Sequence, residues 1–158
     1  MERLYFEDCR IGDRASGPAR TITETDIVQF AALTGDWHPL HTDAEYAKEA
    51  IFGERVAHGM LVLAIGTGLI YRSSDNIALP RFAIAAAGLD KVRFVAPTKV
   101  GDTVSLESEV MQTQEMGADR GLIIVRHHMV NQRREVVLTF TTKTLAQRRP
   151  RQVGIAHG

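Results

Sequence analysis

A carboxylate and an imidazole stand five residues apart in the segment Leu33-Thr34-Gly35-Asp36-Trp37-His38-Pro39-Leu40-His41. An Asp and a His converging on one water form a general acid–base pair, able to take a proton from a nucleophile and return one to a substrate carbon. No regular helix is expected here. Gly35 and Pro39 interrupt the segment, and His38, which precedes a proline, is driven toward extended geometry. A structural alternative stays open, in which Asp36 caps a turn and His41 bonds a carbonyl. A second segment, Ala57-His58-Gly59-Met60-Leu61, puts a glycine at the start of a strongly apolar helix. The first N–H groups of a helix have no partner within it, so the Gly59 N–H is suited to hold a developing oxyanion. Its alternative is that Gly59 only starts the helix.

Together these segments resemble the MaoC-like dehydratases, the family of (R)-specific enoyl-CoA hydratases. That family's motif runs aromatic, short spacer, aliphatic, small, then Gly-Asp-x-Asn-Pro-(Leu/Ile/Val)-His. Here it reads Phe30-Ala31-Ala32-Leu33-Thr34-Gly35-Asp36-Trp37-His38-Pro39-Leu40-His41. The likeness continues through Ala57 to Leu61 and a hydroxyl further along that helix, Thr67, and it spans roughly residues 5 to 146. One position departs: His38 stands where the family has Asn.

The resemblance implies an α+β hotdog fold, an antiparallel sheet wrapped around a buried central helix. It also implies reversible syn addition of water to a trans-2-enoyl-CoA, giving a (3R)-hydroxyacyl-CoA. Asp36, His41 and Gly59 would then be the catalytic groups. Thr67 would orient Asp36 or the water, or else bond its own helix carbonyl. His38 would take the Asn role by donating a hydrogen bond that fixes the loop. Trp37 would line the acyl or pantetheine channel or simply pack, His58 would bond backbone at the helix start, and Met60 would support the site. A zinc site built from Asp36, His38 and His41 is not favoured, because hydrolytic zinc sites draw His pairs from a helix or sheet with a distant third ligand. No metal and no cofactor are expected beyond the CoA of the substrate. Arg93 and Lys99 are candidates to meet its nucleotide end.

The elements that must position these residues follow from periodicity. Thr23 with Asp26 is a capping-box-like pair opening a helix that carries Ile27, Phe30, Ala31 and Thr34 and stops at Gly35. A short helix is expected from Thr42 or Asp43. The third, over residues 57 to 71, is apolar nearly all round and so buried on several sides. Its glycines, Gly66 and Gly68, imply a close approach of backbone or ligand. Beyond residue 80 the period becomes two, with strands expected over 82–87, 89–95, 103–114, 120–131 and 135–146. Residues 8 to 17 read as an extended lead-in with a turn at Gly12-Asp13. His127 and His128 sit on a strand and point to opposite faces.

Composition narrows the classes. The chain has 158 residues, of which 44% are hydrophobic and 24% charged, which suits one domain over 1–146 with a flexible tail over 147–158. Lys plus Arg and Asp plus Glu are equal at 19 each, so no basic field favours nucleic acid or an anionic membrane. The one cysteine, Cys9, excludes an intrachain disulfide and suits a reducing cytoplasm. No signal peptide is visible, and the apolar run at 56–71 is shorter than the roughly 20 residues a membrane span needs. The exposed edge of a lone hotdog sheet favours pairing with a second copy. Two alternatives are an acyl-CoA thioesterase on the same fold and a non-catalytic acyl-CoA-binding domain. The Asp-x-x-Pro-x-His loop argues against the first and the intact Asp36 and His41 against the second.

Overall fold

In the computed structural model, which describes residues 2–73 and 75–150, a single apolar helix lies across one curved antiparallel sheet. The elements run β1 (Arg14–Ser16), β2 (Arg20–Thr21), α1 (Glu24–Thr34), α2 (Pro39–Thr42), α3 (Ala44–Glu49), α4 (Gly59–Tyr71), β3 (Ala83–Phe94), β4 (Thr103–Glu115), β5 (Arg120–Val130) and β6 (Val136–Gln147). The sheet order is β1-β4-β5-β6-β3, with β2 also pairing β4. Helices first, long strands after and α4 seated on the sheet give the expected α+β class and the hotdog arrangement.

Alternation along β4 and β5 sends Val104, Leu106, Val110, Ile123, Val125 and Met129 inward. These meet Leu61, Val62, Ile65 and Leu69 of α4, forming one continuous apolar core. Gly66 is required by that packing, because a Cβ there would lie 2.7 Å from Met129 Sδ and 3.3 Å from the Phe140 ring. Gly68 meets nothing within 4 Å, so the close approach expected at both glycines holds only at Gly66. Burial of α4 is also less complete than its composition suggests: Met60, Ala64, Thr67, Gly68 and Tyr71 form one exposed stripe.

Several local expectations change. Thr23 does cap α1 through a reciprocal bond pair with Asp26, and Gly35 ends the helix in the left-handed conformation with φ 81°. Pro39, however, opens one helical turn instead of preventing helix, because at the first helical position its missing N–H has no partner to lose. Asp43 caps α3 through the Glu45 and Tyr46 N–H groups. The strands expected over 82–87 and 89–95 are one strand, β3. Register shifts absorb Gly88 and the segment Asp90 to Arg93, where Lys91 takes φ 52°. The lead-in contains β1 and β2. The tail is not free at its beginning: Gln147 ends β6, Arg148 pairs with Glu7 and Glu115, and Arg149 with Asp8. The remainder of the expected flexible tail, residues 151–158, lies outside the described residues.

Candidate active site

The loop between α1 and α2 carries Asp36, and α2 carries His41. Both meet the N-terminus of α4 at one cavity of about 390 Å³. Asp36, Leu40, His41, Phe52, His58, Gly59, Met60, Val62 and Phe94 are among the residues that line it. Apolar side chains thus surround a small polar group, the usual composition of a small-molecule pocket.

His38 sets the geometry of the loop. Its backbone is extended at ψ 132°, as the following proline requires. Its Nδ1 accepts a hydrogen bond from the Leu40 N–H at 3.1 Å, capping α2. The role expected for His38, donating a bond to fix the loop, is therefore corrected: the ring fixes the loop as an acceptor. The His38 N–H in turn donates to the Asp36 carboxylate at 3.3 Å.

His41 is half-buried, and its Nδ1 lies 2.7 Å from the Val56 carbonyl. A carbonyl can only accept, so Nδ1 carries the proton and Nε2 of the neutral ring keeps a free lone pair. Burial lowers the His41 pKa below the ordinary histidine value; the Val56 bond opposes this, His58 and His38 add to it, and Asp36 opposes it. A neutral imidazole with one free lone pair is a competent proton acceptor near neutral pH.

His58 is 2% exposed, and its Nε2 donates to the Asp36 backbone carbonyl at 2.9 Å. Its ring lies against that of His41, centres 3.9 Å apart and planes 31° apart. Ligating atoms of Asp36, His41 and His58 lie within 4.8 Å of one another. The metal-type grouping thus contains His58 where the sequence pointed to His38. His41 Nδ1 is engaged with the Val56 carbonyl and His58 Nε2 with the Asp36 carbonyl, which leaves His41 Nε2, His58 Nδ1 and the Asp36 carboxylate to share a proton, a water or an ion. The sequence puts His58 in a backbone bond at the helix start, and the ring does bond backbone, at the Asp36 carbonyl 22 residues away; its contact with the His41 ring is what the spacing does not signal.

Gly59 is the first residue of α4, and its Cα is covered by Phe94, a residue that carries no motif. Met60 lines the cavity while remaining 57% exposed. Of the two roles open to Thr67 the structure shows the second: it donates to the Ala64 carbonyl of its own helix at 2.7 Å and lines a separate cavity with Ile70 and Ala86 to Leu89, so it is not brought to Asp36. Trp37 is half exposed and is not among the residues lining the cavity. Lys99 is tied to Glu54 at 2.5 Å, and Arg93 is exposed on β3. His127 and His128 do part to opposite faces. His127 is buried between Ser108 and Thr142, at 2.8 Å from each hydroxyl.

Comparison with known proteins bears on the family and the fold. A family model described as MaoC like domain matches residues 9–131. Over 104 residues the chain is 42% identical to Protein MaoC of Klebsiella aerogenes, covering 66% of this chain and 30% of that protein. Over 111 residues it is 36% identical to an (R)-specific enoyl-CoA hydratase of Rhodospirillum rubrum, covering 64% of this chain and 65% of that one. The chain therefore spans less than two thirds of the length of either relative. Among solved structures, a monoamine oxidase regulatory protein from Archaeoglobus fulgius superposes with TM-score 0.86 at 40% identity, over 95% of this chain and 98% of that chain. A Mycobacterium tuberculosis protein described as a double hotdogfold shares the fold at TM-score 0.80 and 20% identity, over 94% of this chain and 45% of that one. Among the described residues no helix is long and apolar enough to cross a membrane.

Proposed function

The chain belongs to the MaoC like domain family, and on that premise we propose that it is a hydro-lyase adding water reversibly to a trans-2-enoyl-CoA to give a (3R)-hydroxyacyl-CoA. The observation that carries this reading is the meeting of Asp36, His41 and the first N–H of α4 at one largely apolar cavity. Asp36 and His41 hold one water. The free Nε2 of His41 takes a proton as the water oxygen bonds to C3. The electrons of the C2–C3 double bond move toward the thioester, whose oxygen gains charge and is met by the Gly59 N–H. The enolate then collapses, C2 receives a proton from the pair, and one water has been added with the enzyme returned to its starting state. Positioned proton transfer of this kind contributes about 10² to 10⁴ in rate, and one oxyanion donor roughly 3 to 4 kcal/mol.

No prosthetic group is needed, since the thioester itself accepts the electrons. Surface cations such as Arg93 and Lys99 meet the nucleotide end of CoA. A second copy pairs along β3, which ends the sheet order and exposes Ile84, Leu89, Phe94 and Val95.

The deciding experiment follows the absorbance of the conjugated thioester after adding the protein to crotonyl-CoA and longer enoyl-CoAs. Wild type is expected to hydrate at least one, and Asp36→Asn and His41→Ala to lose that activity. Release of free CoA instead would identify a thioesterase, and CoA binding without turnover a binding domain.

A further inference from the structure

We propose that His58 is a positioning residue, one imidazole that keeps the Asp36 loop, the His41 ring and the first turn of α4 in register; the proposal rests on the hydratase reading above. The first observation is what His58 does not do. Thr23, His38 and Asp43 each cap the helix that follows them with a side-chain hydrogen bond. His58 occupies the same position before α4 and makes no cap bond. Its one hydrogen bond leaves the helix and reaches the backbone carbonyl of Asp36. Its other ring nitrogen, Nδ1, is buried and meets no partner. Buried polar atoms are nearly always satisfied, and positions that break this rule tend to serve function rather than stability.

The second observation is where the ring sits. Phe30 of α1 lies on one side at 5.0 Å and His41 of α2 lies against it at 3.9 Å. Three elements that carry or support the site therefore touch one side chain. The bond to Asp36 uses its backbone and leaves the carboxylate, which accepts the His38 N–H at one oxygen, open to hold water. A Ser, Thr or Asp cap would bring an acceptor oxygen to the helix start, beside the place where the thioester oxygen must gain charge. A histidine that points away avoids this. Asp36, His38 and His58 are the titratable groups acting on His41, so moving His58 also alters the setting in which His41 takes up a proton.

Two variants separate the hydrogen bond from the ring contact. His58→Phe keeps a flat ring against Phe30 and His41 but loses the N–H. His58→Gln keeps a donor but loses the ring. Both are expected to fold, by thermal unfolding, with KM within about threefold and kcat lowered about 10- to 100-fold, the scale expected when reacting groups shift by about an ångström. His58→Gln is also expected to move the acid limb of the kcat/KM profile upward, as His41 becomes less buried. Nitrogen NMR of the His41 ring is the readout independent of turnover: wild type is expected to show one tautomer with the proton on Nδ1, and the variants a mixture. If His58→Phe does not fold, His58→Gln carries the test alone. Wild-type kcat together with an unchanged His41 tautomer in the folded variants would overturn the proposal. If wild type hydrates no enoyl-CoA, the hydratase reading fails by itself, and the His41 tautomer in the variants still decides the role of His58.

Discussion

The ring of Phe94 covers Gly59 so closely that a Cβ on the glycine would stand 2.8 Å from the ring carbon Cε1. The contact joins the end of β3 to the first residue of α4 inside the cavity. Gly59→Ala must therefore displace Phe94 or tilt the helix start, and either change moves the N–H offered to the thioester oxygen. An activity loss of about 100-fold is expected, the lower end for losing one oxyanion donor. Adding Phe94→Ala opens the space again, so the double variant is expected to recover part of the loss. Steady-state kinetics on all four proteins of that cycle gives the coupling; strictly additive effects would show that Phe94 does not act through Gly59.

The pH profile of kcat/KM reports the free enzyme's proton acceptor. Burial holds His41 below the ordinary histidine pKa of 6.5, so its neutral, accepting form persists as the solution becomes mildly acidic. The acid limb of the profile is therefore expected to be centred below pH 6.5. An acid limb centred above that value would remove His41 from the role of base.

His127 makes a separate prediction about stability. Burial is the main cause of its pKa falling to about 3, with the neighbouring His128 adding to it. Below pH 6.5 the unfolded chain binds a proton at this residue that the folded chain does not, so stability is fully present above 6.5 and is lost as pH falls toward 3. The slope approaches about 1.4 kcal/mol per pH unit, or about 2 kcal/mol between pH 6.5 and 4.5. Urea unfolding at several pH values measures it. His127→Gln is expected to be less stable at pH 7, because Ser108 and Thr142 lose a well-placed partner, and to show a flatter slope. Equal slopes in the two proteins would mean that His127 is not the titrating group.

Pairing along β3 predicts a particle of twice the 17.5 kDa chain mass by light scattering. Ile84→Lys with Leu89→Lys places charge on that edge, where exposed strands are commonly protected in this way, and is expected to yield single chains. An unchanged mass in the double variant would place the contact elsewhere.

What could be read in the sequence was local. The Thr23–Asp26 cap, the stop at Gly35 and the extended His38 follow from neighbouring residues, and the structure contains all three. Asp36, His41 and Gly59 were legible because their segments keep a recognisable spacing. Phe94 was not, because its importance comes from a contact across 35 residues that no short-range rule encodes; the backbone bond of His58 was legible, but its contact with the His41 ring was not. Thr67 was open between two partners in the sequence, because a hydroxyl inside an apolar helix can turn to the site or to its own backbone, and the carbonyl three residues back is the one it takes. Gly88 read as a break between strands, whereas a bulged edge strand accommodates it by shifting register.

Arg148 and Arg149 bind Glu7 and Asp8, while Arg3 and Leu4 hydrogen-bond to Arg81 and Phe82 just before β3. The first and last described segments thus lie side by side at the start of that strand, and Phe94 and the cavity lie at its other end, on the order of 35 Å away at the usual strand rise. The ion pairs that hold these two segments to each other therefore act at the end of the strand remote from the pocket.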